Sequence, residues 1–288
     1  MYINEVINKL TEFWKQYKVA SIPTYDMEMG AATFHPLCFF ETLKNKPFAY
    51  SYLQPSRRHM DGKYGMSPTR VFKHHQFQVL INSNFPLDNK NPTNTLKIIK
   101  DLYIKSLEYI GITEKDNDIQ FIENNWESTT LGAFGVGWEV WVNGMEITQF
   151  TFFTKMADIE LENTVIELAY GIDRVGLMLN NLVSFYNLDW DMGVSYENLF
   201  KEYERQMTTY YLDILKEEKD SLKKIEENFI LAKKNQLHYC MYEIILMYNK
   251  QINLLLAGRV INQIERKDLI KNIRRMVHEC GKCFLQLD

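Results

Sequence analysis

The stretch YLQPSRRHMDGKYGMSPTRVFKHHQFQVLIN, residues 52–82, gathers Arg57, Arg58, Lys63, Arg70 and Lys73 with two adjacent histidines around a loop punctuated by glycine and proline. Arginine presents a planar fork of donors that matches phosphate and carboxylate oxygens, so two in succession at a strand end can reach different oxygens of one polyphosphate. Lys63 and Arg70, farther round the loop, would close over it. On the returning strand Gln76 and Gln78 share a face by alternation and set two amides beside the arginines. Alone, the stretch reads equally well as a basic surface hairpin.

Two further segments carry candidate chemistry. In GWEVWVNGMEITQF, Asn143-Gly144 between alternating runs is a strong short-range hairpin signal. A two-residue turn there pairs Val142 with Met145 and Trp141 with Glu146. One face then holds Val140, Val142, Met145 and Ile147, and the other Glu139, Trp141, Glu146 and Thr148. A face with two carboxylates around an indole is either a solvated exterior or the wall of a pocket for an ammonium group or a divalent cation. Gln149 falls on the core face in this register, and only a bulge would turn it to the acids. In VIELAYGIDRVGLMLNN an apolar strand runs through Gly171 into a helix with Arg174 in its first turn. An arginine so placed can lie flat on an aromatic base, or form a surface ion pair with Asp173. The chain has no GxxxxGK[ST] loop and no GxGxxG after a strand, so a nucleotide would bind on a sheet, by arginines.

Elements to position these residues follow from periodicity. Ile3, Val6, Ile7, Leu10, Phe13, Trp14 and Tyr17 recur at helical spacing, as do Leu96, Ile99, Leu102, Tyr103, Leu107 and Ile110 ahead of Gly111. Strands are expected at 48–54, 71–82, 118–123, 137–143 and 145–153, and consecutive strands on short turns imply an antiparallel sheet with helices packed on it, an α+β arrangement. Residues 1–190 hold 17 Lys+Arg against 22 Asp+Glu, whereas residues 191–288 hold 16 against 15 and no proline. Two domains are expected, 1–190 carrying the chemistry and 191–288 all-helical.

The 288-residue chain is 46% hydrophobic and has a formal net charge of −4, which excludes a protein that coats nucleic acid by bulk charge. No apolar run reaches the length of a membrane span, and the opening MYINEVINKLTEFWKQYK lacks the apolar centre of a signal peptide, so a cytoplasmic protein is expected. Cys38, Cys240, Cys280 and Cys283 are too few for a disulfide scaffold. His278 with Cys280 and Cys283 has the spacing of half a zinc site, but no second pair exists and packing is the better reading. The run KEEKDSLKKIEE at 216–227 reads as a solvated helix face.

Together the arginine loop, the hairpin and the AYGIDR strand–helix resemble motifs of the class II aminoacyl-tRNA synthetases. More narrowly, YDMEMGAATFHP (25–36), YLQPSRRHMDGKYGMSPTR (52–70), HHQFQV (74–79), NNWESTTLGAFGVGWEVWVNGMEITQF (124–150) and AYGIDR (169–174) resemble the α subunit of the bacterial heterotetrameric glycyl-tRNA synthetase. The resemblance implies a class II antiparallel sheet and a catalytic subunit that activates glycine with ATP and Mg²⁺, then passes it to tRNA(Gly). On it, Arg57 and Arg58 hold the ATP α-phosphate and the glycine carboxylate, and Arg174 stacks on adenine or braces the γ-phosphate. Arg70 joins the ATP site. Glu139 and Glu146 lie near Mg²⁺–ATP and the substrate amine. Thr33, Gln76, Gln78, Trp126, Glu127, Trp141 and Glu146 line the glycine side, where Trp126 or Trp141 would exclude a side chain. Asp173 stands where glutamate is commoner, and Lys63 where arginine is usual. The resemblance also implies an α–α dimer, with Pro36 marking its interface, and a β subunit that supplies most tRNA contacts in an α2β2 assembly. A non-catalytic regulatory paralogue and a tRNA-independent ligase are the alternatives.

Overall fold

The computed structural model describes residues 1–62, 64–87, 95–215 and 219–287. Lys63 lies outside the described residues, as do the first three positions of the 216–227 run. The N-terminal helix α1 (Ile3–Gln16) is followed by β1 (Ala20–Ser21), α2 (Pro36–Leu43) and the paired strands β2 (Ala49–Arg57) and β3 (Lys73–Asn82). Next come α3 (Thr95–Ile110), β4 (Ile119–Glu123), β5 (Trp126–Ser128), β6 (Ala133–Val142), β7 (Met145–Met156), β8 (Ile159–Gly171) and α4 (Ile172–Asn180). A short hairpin, β9 (Asp189–Asp191) and β10 (Val194–Ser195), leads to α5 (Glu202–Thr209), α6 (Asp220–Lys234), α7 (His238–Ala257) and α8 (Gln263–Leu285).

The sheet runs β1-β2-β3-β8-β7-β6-β4, with β5 also paired to β6, and is antiparallel except at β1–β2. The fold is thus mixed α+β with an antiparallel sheet and flanking helices. One sheet face is covered by α1 and α3. Their apolar stripes, including Ile3, Leu10, Trp14, Leu102 and Tyr103, bury against Phe77, Val79, Leu168 and Phe150. The other face is covered only in part, by α2 and the C-terminal helices. Phe39 stacks on Tyr242 with ring centroids 4.5 Å apart, and Leu80, Phe153 and Val165 share that core with Met276 and Val277. Where the cover stops, the face is open.

The β6–β7 turn has Asn143 and Gly144 at φ 49° and 81°, the left-handed pair that a tight hairpin requires. Val142 pairs with Met145 and Trp141 with Glu146, as the turn residues dictate. The next rung departs from simple alternation. Val140 pairs with Thr148, and Ile147 is an extra residue bulged between them. From there onward β7 is shifted by one. Thr148, expected beside Glu139, joins the buried side at 1% exposure, and Gln149 pairs with Glu139. The β7–β8 turn places Ala157 and Asp158 both in the left-handed region, at φ 56° and 59°. Helix α8 grips that turn: Arg274 donates to both Asp158 carboxylate oxygens, at 2.7 and 2.5 Å, and His278 Nδ1 lies 2.7 Å from Ala157 O.

Candidate active site

The open part of the sheet forms a cleft of about 330 Å³. It opens on adjoining strands, where Tyr52, Gln78, Ala169, Gln149 and Glu139 succeed one another as cross-strand partners, and of these Ala169 and Gln149 line it. Cross-strand partners share a face, so this row faces the cleft side together.

Adjacent residues of a strand point to opposite sides, and this separates the two arginines at the end of β2. Arg58 lines the cleft, with Nε donating to Gly30 O at 3.1 Å. Arg57 turns away and donates to Glu28 Oε2 at 2.9 Å. Of the two arginines expected at one polyphosphate, only Arg58 enters the cleft, where Arg70 joins it across the loop. Asp61 lies between them, 4.0 Å from Arg58 and 3.8 Å from Arg70. From the opposite wall Arg174 reaches in at the start of α4, donating to the Glu146 carboxylate at 2.7 Å and to Glu146 O at 3.0 Å. Asp173 does not pair with Arg174. It is buried, and accepts from His75 N at 2.6 Å, with His75 Nδ1 at 3.1 Å and the Tyr196 hydroxyl also on it. Burial opposes its charge, but His75 and Tyr196 outweigh burial and hold its pKa below the usual value. That network fixes the first turn of α4, and hence the base of Arg174.

The residues expected on the glycine side divide. Thr33, Gln76 and Trp126 line the cleft. Gln76 Oε1 is engaged by Ala32 N at 2.9 Å and by the Ser56 hydroxyl at 3.0 Å, which leaves its NH2 as the group to offer. Gln78 is fully buried behind Glu167 and donates to it. Glu127 is exposed on β5, and neither it nor Trp141 lines the cleft. Trp141 Nε1 donates to Glu139 Oε2 at 3.0 Å, and Asn124 donates to Glu139 Oε1 at 2.7 Å. Glu139 therefore backs the hairpin, whereas Glu146 stands at the cleft.

Among the cleft residues that sequence reasoning missed are Glu167 and His74. Glu167 on β8 is 1% exposed yet lines the cleft, accepting from the Thr33 hydroxyl at 2.7 Å and from Gln78. Burial pushes its pKa up to about 7, against the pull of those two donors. The signal was present in TVIELAY, where one carboxylate interrupts an apolar strand. His74 is half-buried in the cleft, and burial with the nearby Arg58 and Arg174 depresses its pKa to about 3. It presents a neutral, flat ring to the cleft.

Among the described residues no group of three or more His, Cys, Asp and Glu side chains is disposed to hold a metal. Cys280 is buried with its thiol directed to His238 O at 3.3 Å, which is packing. A Mg²⁺ carried in on a polyphosphate needs only one or two carboxylates and completes its shell with water and phosphate. Glu146 fits that demand.

Sequence comparison supplies the class to which this arginine-lined sheet belongs, the aminoacyl-tRNA synthetases. The sequence model described as glycyl-tRNA synthetase alpha subunit matches residues 3–288. The chain is 40% identical over 290 residues to the glycine–tRNA ligase alpha subunit of Petrotoga mobilis, covering 99% of this chain and 96% of that protein. It belongs to the glycyl-tRNA synthetase alpha subunit family, and so to the aminoacyl-tRNA ligases. Among solved structures, pyrrolysyl-tRNA synthetase from Desulfitobacterium hafniense is similar at 12% identity and a TM-score of 0.45, over 67% of this chain and 75% of that one. A likeness of that size adds nothing to the assignment.

Proposed function

We propose that the cleft binds ATP and glycine side by side and joins them as glycyl-adenylate. A glycine carboxylate oxygen attacks the α-phosphorus, the bond to the bridging oxygen breaks, and pyrophosphate leaves with that electron pair. No protein nucleophile or proton transfer is needed, so positioning and charge stabilisation carry the step. Arg58 neutralises the α-phosphate and the incoming carboxylate. Arg70, exposed at the loop, reaches the outer phosphates. Arg174 and the neutral His74 ring offer two flat surfaces for adenine. Mg²⁺ arriving with ATP would be held at Glu146, with Glu139 next along the hairpin, and would offset phosphate charge. Arg57 acts from outside the cleft.

The observation that carries the glycine assignment is the buried carboxylate of Glu167, held by Thr33 and Gln78 at the floor. A buried carboxylate is costly unless a cation completes it, and the substrate ammonium is such a cation. Trp126, which also lines the cleft, would meet any group larger than hydrogen on the α-carbon. Transfer follows: a terminal ribose hydroxyl of tRNA(Gly) attacks the carbonyl and AMP departs. The subunit name implies a β partner, and an α2β2 assembly built on an α–α dimer and working in the cytoplasm completes the reading.

Glycine-dependent ATP–pyrophosphate exchange by the full chain with the β subunit from the same genome tests this, run beside alanine, serine and no amino acid. Exchange with glycine only is expected, and its loss in Arg58→Ala and in Arg174→Ala. Full activity in both variants would overturn the site assignment.

A further inference from the structure

Glu28 lies in the segment between β1 and α2, outside the cleft, and collects three cationic or protonatable partners from distant parts of the chain. Arg57 NH1 is 2.9 Å and Lys250 Nζ 3.1 Å from Oε2, and His59 Nε2 is 3.0 Å from Oε1. Its side chain is only 11% exposed. Arg57 ends the arginine strand, His59 begins the loop, and Lys250 belongs to α7. The segment is also fastened by its backbone. Arg57 N donates to Met29 O at 2.8 Å, and Arg58 Nε donates to Gly30 O at 3.1 Å. One turn upstream, the Tyr25 hydroxyl donates to Glu243 of α7 at 2.5 Å.

We propose that Glu28 is a positioning residue: it clamps residues 28–30 against the end of β2 so that Arg58 is aimed into the cleft, and through Lys250 it makes α7 part of that support. The inference rests on the reading of the cleft as an ATP site. Geometry supplies the reason. Arg58 has its Nε tied to Gly30 O, so the direction of its guanidinium follows the position of that carbonyl, and Glu28 is the charged anchor two residues before it. The carboxyl is held down to about 2; burial opposes the charge, but His59 and Lys250 outweigh it. The anchor is thus ionised throughout the working range. Arg57, outside the cleft, acquires a role: it is the strand's half of the clamp.

The test is glycine-dependent ATP–pyrophosphate exchange by the full chain with its β subunit, in Glu28→Gln, Glu28→Asp, Lys250→Met and the double variant Glu28→Gln/Lys250→Met. Glu28→Gln is expected to lower kcat about 10- to 100-fold, since a small misplacement of a charge-stabilising group costs about that much, with KM for glycine within about twofold. Glu28→Asp should recover part of the loss. Lys250→Met should lower kcat about 3- to 10-fold, and the double variant should match Glu28→Gln alone, because both act on one clamp. A wild-type kcat in Glu28→Gln, losses that multiply in the double variant, or a glycine KM that shifts as much as kcat would overturn the proposal. Lys250 is 43% exposed, so Lys250→Met keeps the fold and carries the test alone if Glu28→Gln does not fold: a wild-type rate there overturns it. Absence of glycine-dependent exchange in the unsubstituted complex would instead overturn the ATP-site reading.

Discussion

The raised pKa of Glu167 gives the cleft a pH dependence of definite sign. Its pKa is raised from the usual 4.5 to about 7, so the folded protein holds a proton that the unfolded chain has already lost. Its contribution to stability is complete below pH 4.5 and is lost as pH rises through about 7. Glu167→Gln removes that loss, so thermal melts of variant and parent should diverge in the variant's favour between pH 5 and pH 8. Glycine needs the ionised form, so its KM should rise as pH falls below about 7, approaching tenfold per unit, while Glu167→Gln binds weakly with no such slope. Exchange assays from pH 6 to 8 check both. Arg58→Ala should lose roughly 10²–10³-fold in kcat/KM, the scale of a lost charge-stabilising donor. Arg57→Ala, which loosens the clamp but leaves the Arg58 guanidinium in the cleft, should lose about as much as Glu28→Gln, and a loss larger than that of Arg58→Ala would contradict the opposed directions of the two side chains. The residue types for this chemistry were legible in the sequence. Which of two neighbouring arginines enters the cleft was not, because that depends on where β2 stops relative to the sheet. Asp173 was read as a candidate surface partner for Arg174, since nothing near it in sequence announces His75 and Tyr196.

At the scale of elements, the β6–β7 hairpin shows what local signals encode. Asn143-Gly144 specifies its own turn because few residue pairs accept two positive φ angles, and the first two pairs follow from it. The bulge at Ile147 has no comparable signature; one extra residue in a strand is decided by what packs on both faces. Its effect is large, since it sends Thr148 to the core and Gln149 to the cleft. The hairpin is also held by close backbone approach. A Cβ on Gly137 would sit 1.9 Å from Phe150 O. Gly137→Ala must therefore push β6 and β7 apart, at a cost of about 3 kcal/mol, and should lower Tm by roughly 6–12 °C. A melting curve within about 2 °C of the parent would show that the strands are not so tightly apposed. Substituting Trp126 tests β5 in the same spirit. If it walls the cleft, Trp126→Ala should improve alanine activation relative to glycine by about 10- to 200-fold, the scale of a methyl group accommodated, read as the ratio of kcat/KM values.

For the whole molecule, the change of texture near residue 190 was visible, but not how the later helices engage. Their contacts are long-range: Tyr242 donates to Phe34 O at 3.0 Å, Glu204 of α5 accepts from Phe72 N and Lys73 N at 2.6 and 3.0 Å, and α8 grips the β7–β8 turn. Residues 1–190 expressed alone would expose Phe39, Phe40 and Phe153, and should aggregate or give a compact state without fixed aromatic environments by near-ultraviolet circular dichroism. A soluble fragment with a native near-ultraviolet spectrum would contradict this. Among the described residues no helix is long and apolar enough to cross a membrane. The clamp on Ala157 and Asp158 has a consequence in time. A ribosome delivers the chain from residue 1 onward, so the arginine strand, the hairpin and this turn emerge well before Arg274 and His278. Two left-handed residues without glycine are costly for the nascent chain to keep in place unaided. The catalytic sheet therefore reaches its final form only after Arg274 and His278 have been made, and a ribosome stalled ahead of them would hold an unfinished sheet.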